Sequence, residues 1–463
     1  MTFSPMNLRR LASRLSVLGV LCPLLAVAAT DNDVELDSEG ECTGYVVTGE
    51  AGGGENFLHK NRDSSSWREG VALLIPERGL KVLVVQTDTG VKKHGYGMNA
   101  VSGINAKGMA AATFAGTTSE PRPKEPWDPS AACSYALQHT ASAENYVKKF
   151  ASIVTEHGVI AGMSAVVSPT EGWKIEYAGH QSAVEGPYLD DFSPIANAYT
   201  ITTMKPHDAG GWSRHGRLRK CRELLERGLY PNTQGEPWLR SWDIVKAFDF
   251  ARNEEALENP ISGEPDTFGP SALPGTVVGG SDPRPVCDSL PWGRSGRCVS
   301  AHIAVPDAKY PAHLSVLWWS LDRPTIAPFI PLFIGVTELP AAIDAKADFE
   351  AADRFQELRQ LLSDHPEYGP LVREVWQAFE TRQHRRVMDE VRTPVRAHLA
   401  GGRKAEAETL LNAFLAAQVD EVMDIAQKLI AKIQTDTAAK LLPALGNESA
   451  EPSQGSEFVT EKP

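Results

Sequence analysis

Cysteine is scarce, six in 463 residues, and no two of them stand in a Cys-x-x-Cys spacing. Structural zinc and thioredoxin-type chemistry therefore have no support. Basic charge is also in deficit, with 46 Lys and Arg against 59 Asp and Glu and a net charge of −13. Such a balance cannot neutralise a phosphate backbone wholesale, which argues against a dedicated nucleic-acid binder. Missing too are a Gly-x-Ser-x-Gly elbow, a His-Glu-x-x-His pair and a P-loop, and Gly95-Tyr96-Gly97 lacks the third glycine of a dinucleotide loop. No metal and no cofactor is expected. Long apolar runs are absent beyond the N-terminus, and there is no internal repeat. What remains is an ordinary globular composition, 42% hydrophobic and 23% charged, which excludes a wholly disordered, collagenous or coiled-coil chain.

The one apolar run reads as an address. Arg9, Arg10 and Arg14 precede a short apolar stretch over residues 15–29 that ends in Ala26-Val27-Ala28-Ala29. This is the n-region, h-region and small-x-small ending of a signal peptide over 1–29. The run is short for about 30 Å of hydrocarbon, and Leu21 before Cys22 does not suit a lipoprotein box. The mature protein is expected to be secreted or periplasmic, with no membrane contact once the signal is removed. Residues 30–41 then carry Asp31, Asp33, Glu35, Asp37, Glu39 and Glu41 and no Lys or Arg, a solvated leader. Cys42-Thr43-Gly44-Tyr45-Val46-Val47 follows at once and reads as a strand. A cysteine thus stands where leader meets domain.

Downstream, residues 71–75 and 80–85 are apolar runs joined by Pro76-Glu77-Arg78-Gly79, a hairpin. Strands are also expected over 101–114, 161–167 and 173–177. A helix after Ser142 places Tyr146, Val147, Phe150, Ile153 and Val154 on one face, and a second over 218–229 turns Cys221, Leu224 and Leu225 inward. Trp318-Trp319 lies in an apolar run that reads as a core strand. From 341 to 433 the chain is helical by composition, with Leu411, Phe414, Leu415, Val419, Val422, Ile425, Leu429 and Ile433 at helical spacing. Pro394 and Gly401-Gly402 are expected to break it into at least three helices, which read as a packing layer.

Four stretches in order carry a resemblance. They are Cys42-Thr43; Lys60-Asn61-Arg62-Asp63; Trp173-Lys174-Ile175-Glu176-Tyr177-Ala178-Gly179-His180 with Ile195-Ala196-Asn197-Ala198-Tyr199-Thr200-Ile201; and the residues from Ser315 through Arg323-Pro324 and Phe329-Ile330-Pro331 to Thr337-Glu338-Leu339-Pro340. Together they resemble the cysteine-nucleophile dipeptidase and secernin family of the N-terminal nucleophile hydrolases. The turn Gly103-Ile104-Asn105-Ala106-Lys107-Gly108 is also similar to the Asn-x-Lys-Gly turn of the related bile-salt and penicillin amidases. The resemblance implies an α+β fold, a four-layer αββα sandwich over 42–340; composition adds a C-terminal helical extension over 341–446 and a polar tail over 447–463, expected to be disordered. The resemblance also implies a cysteine-type dipeptidase acting on small peptides. The alternatives are an acyl-amide hydrolase or acyltransferase, and a secernin-like protein without activity. A homo-oligomer is compatible with either.

The chemistry can be rebuilt from residue types. An N-terminal cysteine carries nucleophile and base together, because its free α-amine titrates near ~8 and can take the thiol proton. Cys42 must then become residue one, by a cut between Glu41 and Cys42. By the resemblance, Asp63 holds the α-amine, Lys60 sets positive charge beside the thiolate, Asn197 donates its amide to the oxyanion, and Asn105 contributes a backbone N–H. Each has a bland competitor: a turn Asp, a surface Lys, a turn Asn. Arg62 departs from the family pattern, and His59, His94 and His180 are assigned no role. An exported chain favours disulfides, and Cys287 and Cys298, flanking a short Pro/Gly-containing loop, are the expected pair. Cys133 and Cys221 could form a second.

Overall fold

The computed structural model describes residues 42–64, 68–209, 212–229, 242–252 and 298–448, without side chains at 212–217, 220 and 438–448. The expected signal peptide, leader and cut at Glu41, together with Cys287 and the tail from 449, lie outside the described residues. The chain divides into two compact units, Met1–Glu39 and Gly40–Pro463, and every described residue belongs to the second.

Short, mostly apolar runs, many of them buried on both faces, build two antiparallel sheets. Their strands are β1 (Thr43–Val47), β2 (Phe57–Asp63), β3 (Glu69–Leu74), β4 (Val82–Thr87), β5 (Ser102–Asn105), β6 (Ala110–Ala115), β7 (Val159–Val167), β8 (Gly172–Gly179), β9 (Gln181–Tyr188), β10 (Phe192–Ile195), β11 (Cys298–Val305), β12 (Val316–Ser320) and β13 (Phe329–Phe333). One sheet has six strands in the order β10-β1-β2-β11-β12-β13; the other has seven, β3 to β9 in sequence order. The hairpin expected at Pro76–Gly79 joins β3 to β4.

The helices are α1 (Asp88–His94), α2 (Pro129–His139), α3 (Ala143–His157), α4 (Trp212–Leu229), α5 (Ile244–Ala251), α6 (Glu350–Asp364), α7 (Gly369–Arg386), α8 (Thr393–Ala400) and α9 (Lys404–Glu448). Their starts follow capping chemistry. Asp128 accepts from the Ser130 N–H with Pro129 at the first turn of α2, and Ser142 accepts from the Asn145 N–H at the start of α3. Helices α2 and α3 cover the outer face of the seven-stranded sheet; α4, α5 and α9 cover that of the six-stranded sheet. Helix, sheet, sheet, helix: the expected α+β sandwich is present.

Between the sheets, Val46, Leu58, Ala304 and Leu317 meet Leu83, Val85, Ile104, Ala112, Phe114 and Ala165. The approach is close at β1, where a Cβ on Gly44 would stand 2.7 Å from the Phe114 ring of the facing sheet. Two expectations on the C-terminal helices are corrected. Residues 341–349 are not helical; Ile343 and Ala345 instead hydrogen-bond Val71 beside the β3 edge. Pro394 does not break the helix either, because the turn before it widens to π geometry over Val387–Arg392 and the chain continues into α8. The break falls at Gly401-Gly402, where Gly402 has φ of +73°.

Candidate active site

Strand register puts the chemistry at one end of the inter-sheet layer. Thr43 pairs with Asn61 and Gly44 with Lys60, while His302 of β11 lies on the other side of Lys60. Side chains alternate along a strand, so Cys42, Lys60 and Arg62 share the face turned toward the second sheet. Cys42 is buried with a free thiol. Its backbone N–H donates to Asn197 Oδ1 at 2.7 Å, across 155 residues of sequence. Asn197, just past β10, donates its Nδ2 to the Ala115 carbonyl at 2.7 Å. Asn197 Oδ1 thus accepts from the Cys42 nitrogen, and an oxyanion donor from Asn197 would be the second hydrogen of the same amide. Asp63 is buried at the Cys42 end of β2, paired in register with Cys298.

Lys60 is 3% exposed and donates to the Thr113 carbonyl of β6. Its ammonium lies 5.5 Å from the Phe114 ring centroid, and it makes no ion pair among the described residues. Burial pushes its pKa below the ordinary lysine value, against the opposing pull of Cys42. It is a core cation, not a solvated surface lysine.

Beside it lies a buried network that sequence reasoning missed. Glu69 of β3 accepts from Arg62 Nη1 at 3.0 Å, from His302 Nε2 at 3.4 Å and from Trp319 Nε1 at 3.3 Å. Burial alone would raise the Glu69 carboxyl, but the His302 hydrogen bond and the Arg62 charge outweigh it and hold it down at about 2. Burial, reinforced by the Lys60 and Arg62 charges, lowers His302. The neutral imidazole then donates through Nε2 to Glu69 and accepts at Nδ1 from the Ser102 hydroxyl, 2.6 Å away. These residues come from β2, β3, β5, β11 and β12. No spacing in the chain announces that meeting, although Arg62 departed from the family pattern at this point.

The other face of β2 is structural. His59 stacks on Tyr45 at 4.9 Å, meets Phe250 edge-on at 5.1 Å and donates through Nε2 to Asn61 Oδ1 at 2.9 Å. Burial lowers its pKa to about 3. Asn61 in turn donates to the Ala251 carbonyl at 2.8 Å.

Asn105 is not brought to Cys42. Its Oδ1 accepts from the Lys107 and Met109 N–H groups, its Nδ2 donates to the Leu137 and Thr140 carbonyls at the end of α2, and its own N–H goes to Met109. All of this fastens the β5–β6 turn on the helix side of its sheet. Cys133 and Cys221 do not pair either. Both are free buried thiols, on α2 and α4, in opposite outer layers. Burial pushes Cys133 up to about 12 and Cys221 higher still, while the Cys221 thiol donates to the Gly44 carbonyl at 3.1 Å. Cys298 is buried at the start of β11, and its expected partner Cys287 is outside the described residues. Among the described residues no cluster of His, Cys, Asp and Glu could hold a metal ion.

No family model and no curated protein matches the chain. Among solved structures it is similar to penicillin V acylase from Agrobacterium tumefaciens, at 13% identity and a TM-score of 0.38, over 64% of this chain and 87% of that one. It is also similar to two variants of conjugated bile acid hydrolase from Clostridium perfringens, at 10% identity and TM-scores of 0.34 and 0.35, over 63% of this chain and 92% of those. Likenesses this distant transfer no residue roles.

Proposed function

We propose that the protein is an exported N-terminal-nucleophile amide hydrolase with Cys42 as its nucleophile, most simply a dipeptidase. The observation that carries this is the pairing of a buried Cys42, its nitrogen held by Asn197 Oδ1, with a buried Lys60 free of ion pairs among the described residues on the same sheet face. A cut between Glu41 and Cys42 frees the α-amine that accepts the thiol proton. The thiolate attacks the substrate carbonyl, the C–N bond breaks, the leaving amine takes the proton back, and water hydrolyses the thioester. Lys60 favours the thiolate electrostatically.

An acyl-amide substrate is the second reading. It is favoured by the β5–β6 connection, where Asn105 and Gly108, with φ of +73°, build an Asn-x-Lys-Gly turn. The test is hydrolysis of unblocked dipeptides and of N-acyl amides by protein whose N-terminus has been sequenced. Activity in a chain beginning at Cys42 supports the proposal, and cleavage of the acyl amides alone moves it to the second reading. Full activity in a chain that begins near Thr30 would sink the mechanism, and no activity in a chain beginning at Cys42 would leave the secernin-like alternative.

A further inference from the structure

Asn197 sits on a short segment between two anchors. Upstream, Ile195 at the end of β10 pairs with Gly44 of β1. Downstream, no strand or helix follows until residue 205, and one side chain takes over the task. Glu176 of β8, fully buried, accepts through Oε1 from the Thr200 N–H at 2.8 Å and the Thr200 hydroxyl at 2.9 Å. Through Oε2 it accepts from the Ile201 N–H at 2.9 Å. Lys174, two residues earlier on the same face of β8, donates to the Thr200 hydroxyl. Its ammonium lies 3.5 Å from Glu176 and 2.7 Å from Glu185. Between these points the Tyr199 hydroxyl donates to the Tyr177 carbonyl at 2.7 Å.

A buried ion pair is not a stability device by default, because desolvating two charges offsets most of their attraction. Here the hydrogen bonds of the pair converge on two consecutive residues of the segment that carries Asn197. We infer that Lys174 and Glu176 are positioning residues: by clamping Thr200 and Ile201 they fix the segment that presents Asn197 Oδ1 to the Cys42 nitrogen. The inference rests on the reading of Cys42 as nucleophile.

The test compares Glu176→Gln, Asn197→Ala and their double variant, expressed as the full chain. The glutamine amide would face the Thr200 or Ile201 N–H with a donor in place of an acceptor, so the segment should move. Glu176→Gln should lower kcat about tenfold with KM within twofold, and Asn197→Ala about a hundredfold. The double variant should be no slower than Asn197→Ala alone, since a clamp that acts through Asn197 has nothing left to position. Hydrogen exchange should rise over residues 196–204 in Glu176→Gln and stay unchanged over α3. If Glu176→Gln does not fold, Thr200→Val removes the shared hydroxyl and carries the same comparison.

Effects of the two substitutions that multiply, or raised exchange with parental kcat, would overturn the clamp. Cys42→Ser hydrolysing at the parental rate would instead overturn the nucleophile reading and leave the exchange result standing.

Discussion

The two faces of the seven-stranded sheet are both buried, yet they are filled differently. On the helix side, Tyr146, Phe150 and Val154 of α3 pack against Ile175 and Tyr177 of β8, and a polar contact there is neutral, Tyr146 with Ser164 at 2.8 Å. On the side facing β1 and β2, the same sheet and its partner bury Lys60, Arg62, Glu69, Lys174, Glu176 and His302. Apolar packing suffices to hold a sheet against a helix, as the first layer demonstrates. Charges in the second layer carry a desolvation penalty that packing does not require, and they gather around Cys42 and Asn197. Such clustering of buried charged and titratable groups marks a site more sharply than any one of its residues.

The contrast can be tested, starting with the largest effect. Cys42→Ser should lower turnover by about 10³-fold or more while circular dichroism and melting stay parental, because the hydroxyl fits where the thiol did. Parental turnover would make Cys42 a mere strand residue. Next come the two layers themselves. Phe150→Ala on the helix side should destabilise by about 3–5 kcal/mol in urea unfolding and leave kcat per folded molecule unchanged. Glu69→Gln should lose a similar amount, about 3–5 kcal/mol, by removing one charge of a buried ion pair. Adding Arg62→Met to Glu69→Leu should recover most of that loss; if it does not, the charges are structural cement and the contrast fails.

Lys60→Met should change stability by about 1 kcal/mol or less, since the stem remains and a buried cation is removed. Turnover should fall by about 10- to 100-fold through the lost charge beside the thiolate. A large loss of stability with unchanged turnover would place Lys60 with the packing residues.

A further effect, confined to acid pH and without bearing on turnover, is in pH dependence. His59 titrates at about 3 in the fold against an ordinary 6.5, so between those values the unfolded chain binds a proton that the folded chain refuses. Its contribution is fully present above pH 6.5 and fades as pH falls toward 3, with a slope of about 1.4 kcal/mol per pH unit. His59→Gln should flatten the acid limb of the unfolding free energy by about that slope, and an unchanged limb would show that His59 does not carry it.

Much of the fold was legible because local chemistry decides it. Ser142 caps α3, Pro76–Gly79 turns a hairpin, and the apolar face of α3 is the one read from its periodicity. The helix over 393–400 was less legible, since a widened turn absorbs Pro394 where propensity predicts a stop. In the site, Cys42 stood out by its place between an acidic leader and a strand, and Lys60 and Asn197 by motif. Their partners did not. The Cys42 nitrogen, the Ala115 carbonyl and the Thr113 carbonyl are backbone groups, which carry no residue-type signal.

The sequence by itself determined several of the strands and helices, the candidate nucleophile and the acidic segment before it, because those depend on residue type over a few positions. Only the tertiary structure decided that Asn197 holds the Cys42 nitrogen, that Asn105 belongs to a turn, that Cys133 and Cys221 are apart, and that Glu69, His302 and Ser102 join Arg62. Those outcomes depend on antiparallel register and on which face of a strand meets the opposite sheet. A pleated strand shows alternation in its sequence, but not the strand that will lie beside it.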